Sequence, residues 1–223
     1  MHAVKLLHKL IKKSCVGIHS KRLNALFTVV MGLATRGKLS VAGLGRSLKT
    51  QAKIKNRIKL ADRLVGNKKL HAERGTIYHA VIKFVIGVIK KPIIIVDWSS
   101  LPNINYYLLR AAVPTQGRSL TIYEEVHPLK KQGNHKVHKA FLKSLSTMLP
   151  VSCKPIIVTD AGFHSPFFSE VEKLGWDWVG RIRGLVTYKL LGSEKWIACK
   201  RLYERATDIP QFINFLRGLR PPP

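Results

Sequence analysis

A chain of 223 residues can bury a core in one large domain or two small ones, and 46% hydrophobic residues argue against disorder throughout. Its 39 Lys and Arg against 12 Asp and Glu leave a net charge of +27, an excess that a small-molecule enzyme rarely needs and that a protein lying along phosphates does. Three widely spaced cysteines (Cys15, Cys153 and Cys199) without a C-x-x-C argue against a disulfide framework or zinc ribbon, and no apolar run reaches the roughly 20 residues of a membrane span.

The charge is uneven. Residues 1–91 carry 21 Lys and Arg against only Asp62 and Glu73, whereas residues 92–223 carry 18 basic and ten acidic residues. This shift places a domain boundary at Lys90-Lys91-Pro92, with a helical, strongly basic DNA-binding domain over 1–91. The opening "MHAVKLLHKLIKK" reads as a basic amphipathic helix with Val4, Leu7, Leu10 and Ile11 on one face, not as a signal peptide. Ser20 is placed to cap the next helix and Gly37 to stop it. Two short helices follow, "LSVAGLGRSLK" and "QAKIKNRIKLADRLVGN", the second with Ile54, Ile58, Ala61 and Leu64 at helical spacing. Their cations, Arg46, Lys49, Lys53, Lys55, Arg57 and Lys59, make a helix-turn-helix-like DNA contact the sharper reading and a solvated basic face the plainer one. A last helix, "TIYHAVIKFVIGVIKK", leads into the second half.

From residue 92 the pattern changes. "PIIIVDW" is too short for a helix and apolar on both faces, which predicts a central strand covered on both sides. "YYLLRAAVP" and "SLTIYEEVHP" flank "TQGR" as a hairpin. "NHKVHKAFLKSLSTMLP" is helical, with Val137, Phe141, Leu145 and Met148 on one face and Pro150 as its stop. "KPIIVTDAGF" is a second buried strand. "SPFFSEVEKLG" is a helix with Ser165 as cap, Pro166 in its first turn and Gly175 at its end. "WDWVGRIRG" predicts a fifth strand with Arg181 and Arg183 on one face, for phosphate contact or for the sheet edge. The order predicts a mixed sheet with helices on its faces over 92–190. Over 191–223 further strands and an irregular tail are expected.

Two strands end alike, "PIIIVDWS" at Asp97 and "PIIVTDAGF" at Asp160. A carboxylate at a buried strand end is costly unless its charge is compensated. If the strands are neighbours, two carboxylates about 5 Å apart can hold Mg²⁺ between them. Alternatively each Asp caps the turn that follows.

These strands, together with "FFSEVEKLGWDWVGRIRG" and the upstream "NRIKLADRLVGN", resemble the DDE transposases of bacterial insertion sequences, specifically the insertion-sequence-four group, over roughly residues 20–190. The resemblance implies a ribonuclease-H-like catalytic core and an N-terminal domain that binds the repeats at the element's ends. It implies that Asp97 and Asp160 are the first two acids of a catalytic triad that uses Mg²⁺ or Mn²⁺. The implied reaction is hydrolysis of a phosphodiester at a transposon end, then attack of the freed 3′-hydroxyl on target DNA. The implied setting is the bacterial cytoplasm at the nucleoid, as a homodimer on double-stranded DNA. The family's third acid lies in a Tyr-x₂-Arg-x₃-Glu-x₆-Lys pattern, which "YERAT" at 203–207 does not fit. The expectation is therefore a copy truncated before that acid, with impaired catalysis. The alternative is a non-catalytic protein that occupies transposon ends and restrains a full-length relative. A third reading, an unrelated nuclease, needs Glu170, Glu172, Glu194 or Glu204 as its third carboxylate.

His127, His135 and His138 lack a fourth zinc ligand and read as DNA-facing polar residues. Trp98, Trp176 and Trp178 read as packing groups rather than as stacking platforms for bases. No Ser-His-Asp order, phosphate-loop or dinucleotide glycine pattern is present.

Overall fold

The computed structural model describes residues 2–36, 38–183, 186–209 and 215–220. The chain falls into two compact units, Met1–Gly87 and Val88–Pro223.

The described residues of the first unit form helices α1 (His2–Ser14), α2 (Ser20–Arg36), α3 (Val41–Ser47), α4 (Ile54–Val65), α5 (Lys68–Ala72) and α6 (Arg74–Ile86). One apolar cluster gathers Ile11, Cys15, Ile18, Leu23, Phe27 and Ala80, with Val4 and Leu7 packed against it, so the amphipathic face of α1 is a core face. A second gathers Val29, Leu48 and Leu64, with Leu44 and Leu60 against it, and fixes α3 and α4 on α2. Ile54, at the start of the apolar row of α4, is 53% exposed because it precedes the turn that meets α3. Ser20 is the first residue of α2 rather than its cap; the His19 Nδ1 accepts the Lys21 N–H instead, at 3.2 Å. The proposed stop at Gly37 lies outside the described residues. Ser40 caps α3 by accepting from Gly43 N–H at 3.1 Å.

The α3–α4 contact depends on one glycine. A Cβ at Gly45 would lie 2.4 Å from the Ile58 Cα, so the two backbones touch where any side chain would part them. Gly45→Ala is expected to lower the unfolding free energy by about 2 kcal/mol in urea titrations, overpacking outweighing the gain in helix propensity. Gly75, with nothing within 4 Å of its ideal Cβ, is the control. Gly75→Ala should leave stability unchanged or raise it by up to ~1 kcal/mol.

The second unit holds β1 (Ile93–Ser100), β2 (Tyr106–Thr115), β3 (Arg118–Pro128), α7 (His135–Met148), β4 (Ile156–Thr159), α8 (Ser165–Lys173) and β5 (Asp177–Gly180). The sheet order is β3-β2-β1-β4-β5, with β1, β2 and β3 antiparallel and β4 and β5 parallel to β1. Gly117, at φ 74°, closes the β2–β3 hairpin in a conformation that glycine adopts without strain. Val88–Lys91 belongs with this unit: Lys90 C=O accepts from Lys154 N–H at 2.7 Å, and Lys91 pairs with Asp177 at 2.6 Å.

Alternation along the strands sets the core. Ile94, Val96, Leu109, Ala111 and Ile157 are fully buried on one face. Tyr123 on that face stacks on Phe141 of α7, and Trp178 stacks on Phe168 of α8. Both helices therefore cover the same side, and their own rings meet through His138 and Phe167. The expectation of helices on both faces is not met. Ile93 at 47% and Val179 at 58% exposure mark the other face, on which neither α7 nor α8 packs.

Two further corrections concern ends of elements. The cap position of α8 is His164 rather than Ser165, and its side chain makes no capping bond. The expected irregular tail contains a strand: β6 (Thr187–Leu190), β7 (Trp196–Ala198) and β8 (Phe215–Arg220) form a second sheet in the order β7-β6-β8. Residues 210–214 and 221–223, on either side of β8, lie outside the described set. Among the described residues no helix is long and apolar enough to cross a membrane.

Candidate active site

Strands β1 and β4 run parallel with Val96 opposite Thr159. The expectation that both acids end their strands holds for one: Asp160 follows the last residue of β4, whereas Asp97 sits inside β1, opposite Arg110 of β2, and the strand runs on to Ser100. The two still lie at the same level of adjacent strands, about 5 Å apart at the backbone. Both line one opening of about 300 Å³, together with Trp98, Gln132, Gly133 and Gly162. Asp97 is half-buried, and its Oδ2 accepts from Ser99 Oγ at 3.1 Å. Asp160 is exposed, and its Oδ1 accepts the Gly162 N–H at 2.9 Å. The turn-capping role and the paired arrangement thus coexist: one oxygen of Asp160 fixes the turn, and the carboxylate still faces the opening it shares with Asp97.

This donor set fits a hard divalent cation such as Mg²⁺ or Mn²⁺, which takes carboxylate oxygens from one or two side chains and leaves other positions to water or phosphate. Among the described residues no group of three or more His, Cys, Asp or Glu gathers to hold a metal. The other carboxylates of the second unit are largely engaged elsewhere. Glu124 pairs with Arg110 at 2.9 Å, Glu125 accepts from Tyr123 and His127, and Glu172 accepts from Trp178 Nε1 at 3.1 Å. Glu194 pairs with Lys189 at 2.9 Å. Glu170 bonds Lys173 at 2.6 Å, with His135 and Lys139 nearby; Lys173 holds its carboxyl below the usual range, and burial works against that. Glu204 lies exposed in a 3-10 turn, Cys199–Arg205.

The three histidines separate. His138 is buried in a ring cluster with Phe163 and Phe167 and accepts the Trp98 indole N–H at 2.9 Å, so it does not face DNA. Burial, and then the neighbouring His135, His164 and His127, push its pKa down to about 4. The neutral ring is the form that can accept from Trp98. His127 is held by Glu125, and His135 is the more exposed of the three. Trp98, Trp176 and Trp178 are all packed.

Arg181 and Arg183 are not on a strand, because β5 ends at Gly180. Arg181 N–H still donates to Thr159 C=O at 3.2 Å, which keeps its backbone beside the turn that carries Asp160. In the first unit Lys53, at the cap position of α4, and Lys55 and Lys59 on it are exposed, and Arg46 and Lys49 are exposed at and just beyond the end of α3. Arg57 is partly turned inward: its Nη1 donates to Leu48 C=O at 2.6 Å and so bridges the α3–α4 turn. Sequence reasoning missed Gln132 and Gly133, which wall the opening from the loop before α7. The signal was the Gly133-Asn134 pair, with Gly133 at φ 69° and Asn134 capping α7 through Lys136 and Val137 N–H.

A family model described as the transposase DDE domain matches residues 89–218. No curated protein and no solved structure matches the chain.

Proposed function

The chain belongs to the transposase DDE domain family, and on that premise we propose that it acts in DNA transposition through Asp97 and Asp160. The observation that carries this reading is the opening shared by Asp97 and Asp160 at one level of the neighbouring strands β1 and β4, inside the matched segment. In the proposal, residues 92–190 are a ribonuclease-H-like core of the insertion-sequence-four kind, and the basic first unit grips the repeats at the element's ends as a pair of chains on double-stranded DNA. Asp97 and Asp160 would hold Mg²⁺ or Mn²⁺. When bound, such an ion supplies Lewis-acid polarisation of a phosphoryl oxygen. The residues themselves supply position: Ser99 orients Asp97, and the Gly162 N–H locks Asp160. Lys53, Lys55 and Lys59 contribute phosphate neutralisation, so binding should weaken steeply with salt.

A second reading follows from the acids that are engaged elsewhere. With Glu170, Glu172 and Glu194 tied to Lys173, Trp178 and Lys189, the pair has no third carboxylate among the described residues. Catalysis is then impaired, and the chain acts as an occupant of transposon ends that restrains an active relative. The experiment is nicking of supercoiled plasmid by the full chain with Mg²⁺. Slow nicking that disappears in Asp97→Asn supports the transposase. No nicking, with end-specific binding retained, supports the occupant. Robust nicking that survives loss of both Asp97 and Asp160 would overturn the site.

A further inference from the structure

Two clefts in the first unit share a wall. One lies between α1 and α2, has a volume of about 440 Å³, and is walled by the apolar side chains of Val4, Phe27 and Met31 beside Lys5 and His8. The other, of about 700 Å³, opens among α2, α3 and α4 and is ringed by Lys38, Arg46, Lys49 and Arg57. Thr35 and Lys49 line both, so the clefts run into one another. Among the described residues that line them, none is acidic.

The two compartments differ in chemistry. The first offers an apolar wall with the His8 ring stacked on Phe27 at 4.4 Å. The buried His8 Nε2 finds no hydrogen-bond partner among the described residues, an unmade bond at the edge of that cleft. The second offers four cations on a concave surface. A ligand that complements both alternates flat rings with phosphates, which describes a nucleic-acid strand. In a duplex the bases are stacked inside the helix and only their edges are accessible, so a duplex presents phosphates to the second cleft and nothing to the first.

We propose that this double cleft binds a single strand of DNA, with an unpaired base against the apolar wall between α1 and α2 and its neighbouring phosphates among Lys38, Arg46, Lys49 and Arg57. This goes beyond duplex contact by α3 and α4, and it does not depend on the Asp97–Asp160 site. Lys49, common to both compartments, contacts the phosphate that links them. Lys5 guards the far end.

The test uses the full chain and two probes, a fluorescein-labelled oligo-dT and the oligo-dA·oligo-dT duplex of the same length, read by anisotropy at fixed salt. Lys49→Glu and Lys5→Glu are exposed substitutions, and Lys83→Glu, exposed on α6 and outside both clefts, is the charge-matched control. The expected result is a loss of single-strand affinity of about tenfold for Lys49→Glu, larger than for Lys83→Glu, with Lys5→Glu weakening the single strand more than the duplex. Strands carrying 5-iodouracil should photo-cross-link to α1 or α2. Equal effects of Lys49→Glu and Lys83→Glu on oligo-dT, or cross-links confined to other segments, would overturn the proposal. Because the readout is binding alone, plasmid nicking can fail while the cleft stands, and the reverse.

Discussion

Asp97→Asn and Asp160→Asn are each expected to weaken Mn²⁺ binding by the chain on the order of 100-fold, and the double variant to remove it. Replacing even an outer partner of a metal ligand typically costs about 10–100-fold, so loss of a directly coordinating charge should cost at least as much. The two side chains share one opening at the same level of parallel strands, so neither can be replaced by a neighbour. Other carboxylates of the unit answer to other groups: Glu124 to Arg110, Glu170 to Lys173, Glu194 to Lys189. Electron paramagnetic resonance of free Mn²⁺ reads the affinity without requiring turnover, which matters if the third carboxylate is missing. Glu170→Gln, which loosens α7 from α8 but leaves the opening intact, should bind Mn²⁺ like the parent. If Asp97→Asn and Glu170→Gln bound alike, the ion would be held somewhere other than the opening shared by Asp97 and Asp160.

The pairing of these two acids was legible because its cause is local. A run of β-branched residues bounded by proline specifies a strand, and the matched position of Asp97 and Asp160 after such runs needs only that β1 and β4 be neighbours. The hairpin at Gln116-Gly117 and the stop of α7 before Pro150 were legible for the same reason. What could not be read depends on distant partners. Covering both faces of the sheet was inferred from the run "PIIIVDW" as a whole, yet the side chains on α7 and α8 settle which face they bury, and both helices choose the side of Ile94 and Val96. A polar-looking His138 in "NHKVH" gives no hint that Trp98, 40 positions earlier, donates to it. Arg57 reads as one more cation on α4, although its guanidinium spends a hydrogen bond on Leu48 C=O. Ser20 and Ser165 fit the cap rule by type, but the turns before α2 and α8 end one residue earlier, at His19 and His164.

His138 makes the second unit acid-sensitive, and the sign follows from its pKa of about 4 against an ordinary 6.5. The unfolded chain protonates this ring below about pH 6.5, whereas the folded chain resists until about pH 4. Between those values the unfolded state binds more protons, so stability falls as the pH falls. The contribution is fully present above about pH 6.5 and is lost by about pH 4. A shift of that size corresponds to roughly 3 kcal/mol, a large share of a domain's marginal stability. The physical cause is a ring that is 4% exposed, packed on Phe163 and Phe167, with Nε2 already committed as acceptor to Trp98. Protonation there sets two donors face to face and strands a charge among aromatic rings. The groups around it offer no relief, since His135, His164 and His127 add to the downward push that burial begins. His138→Gln keeps a carbonyl oxygen that can accept from Trp98 and has no proton to gain. It should cost about 1–2 kcal/mol at neutral pH, through lost ring packing. It should also flatten the acid limb, so that urea midpoints for the parent and the variant converge or cross as the pH approaches 4. Parallel loss of stability in both proteins over that range would show that the acid sensitivity comes from the other charges of this +27 chain and not from His138. Trp98 also lines the opening that holds Asp97 and Asp160, so the proton that loosens His138 acts on a wall of the candidate site itself.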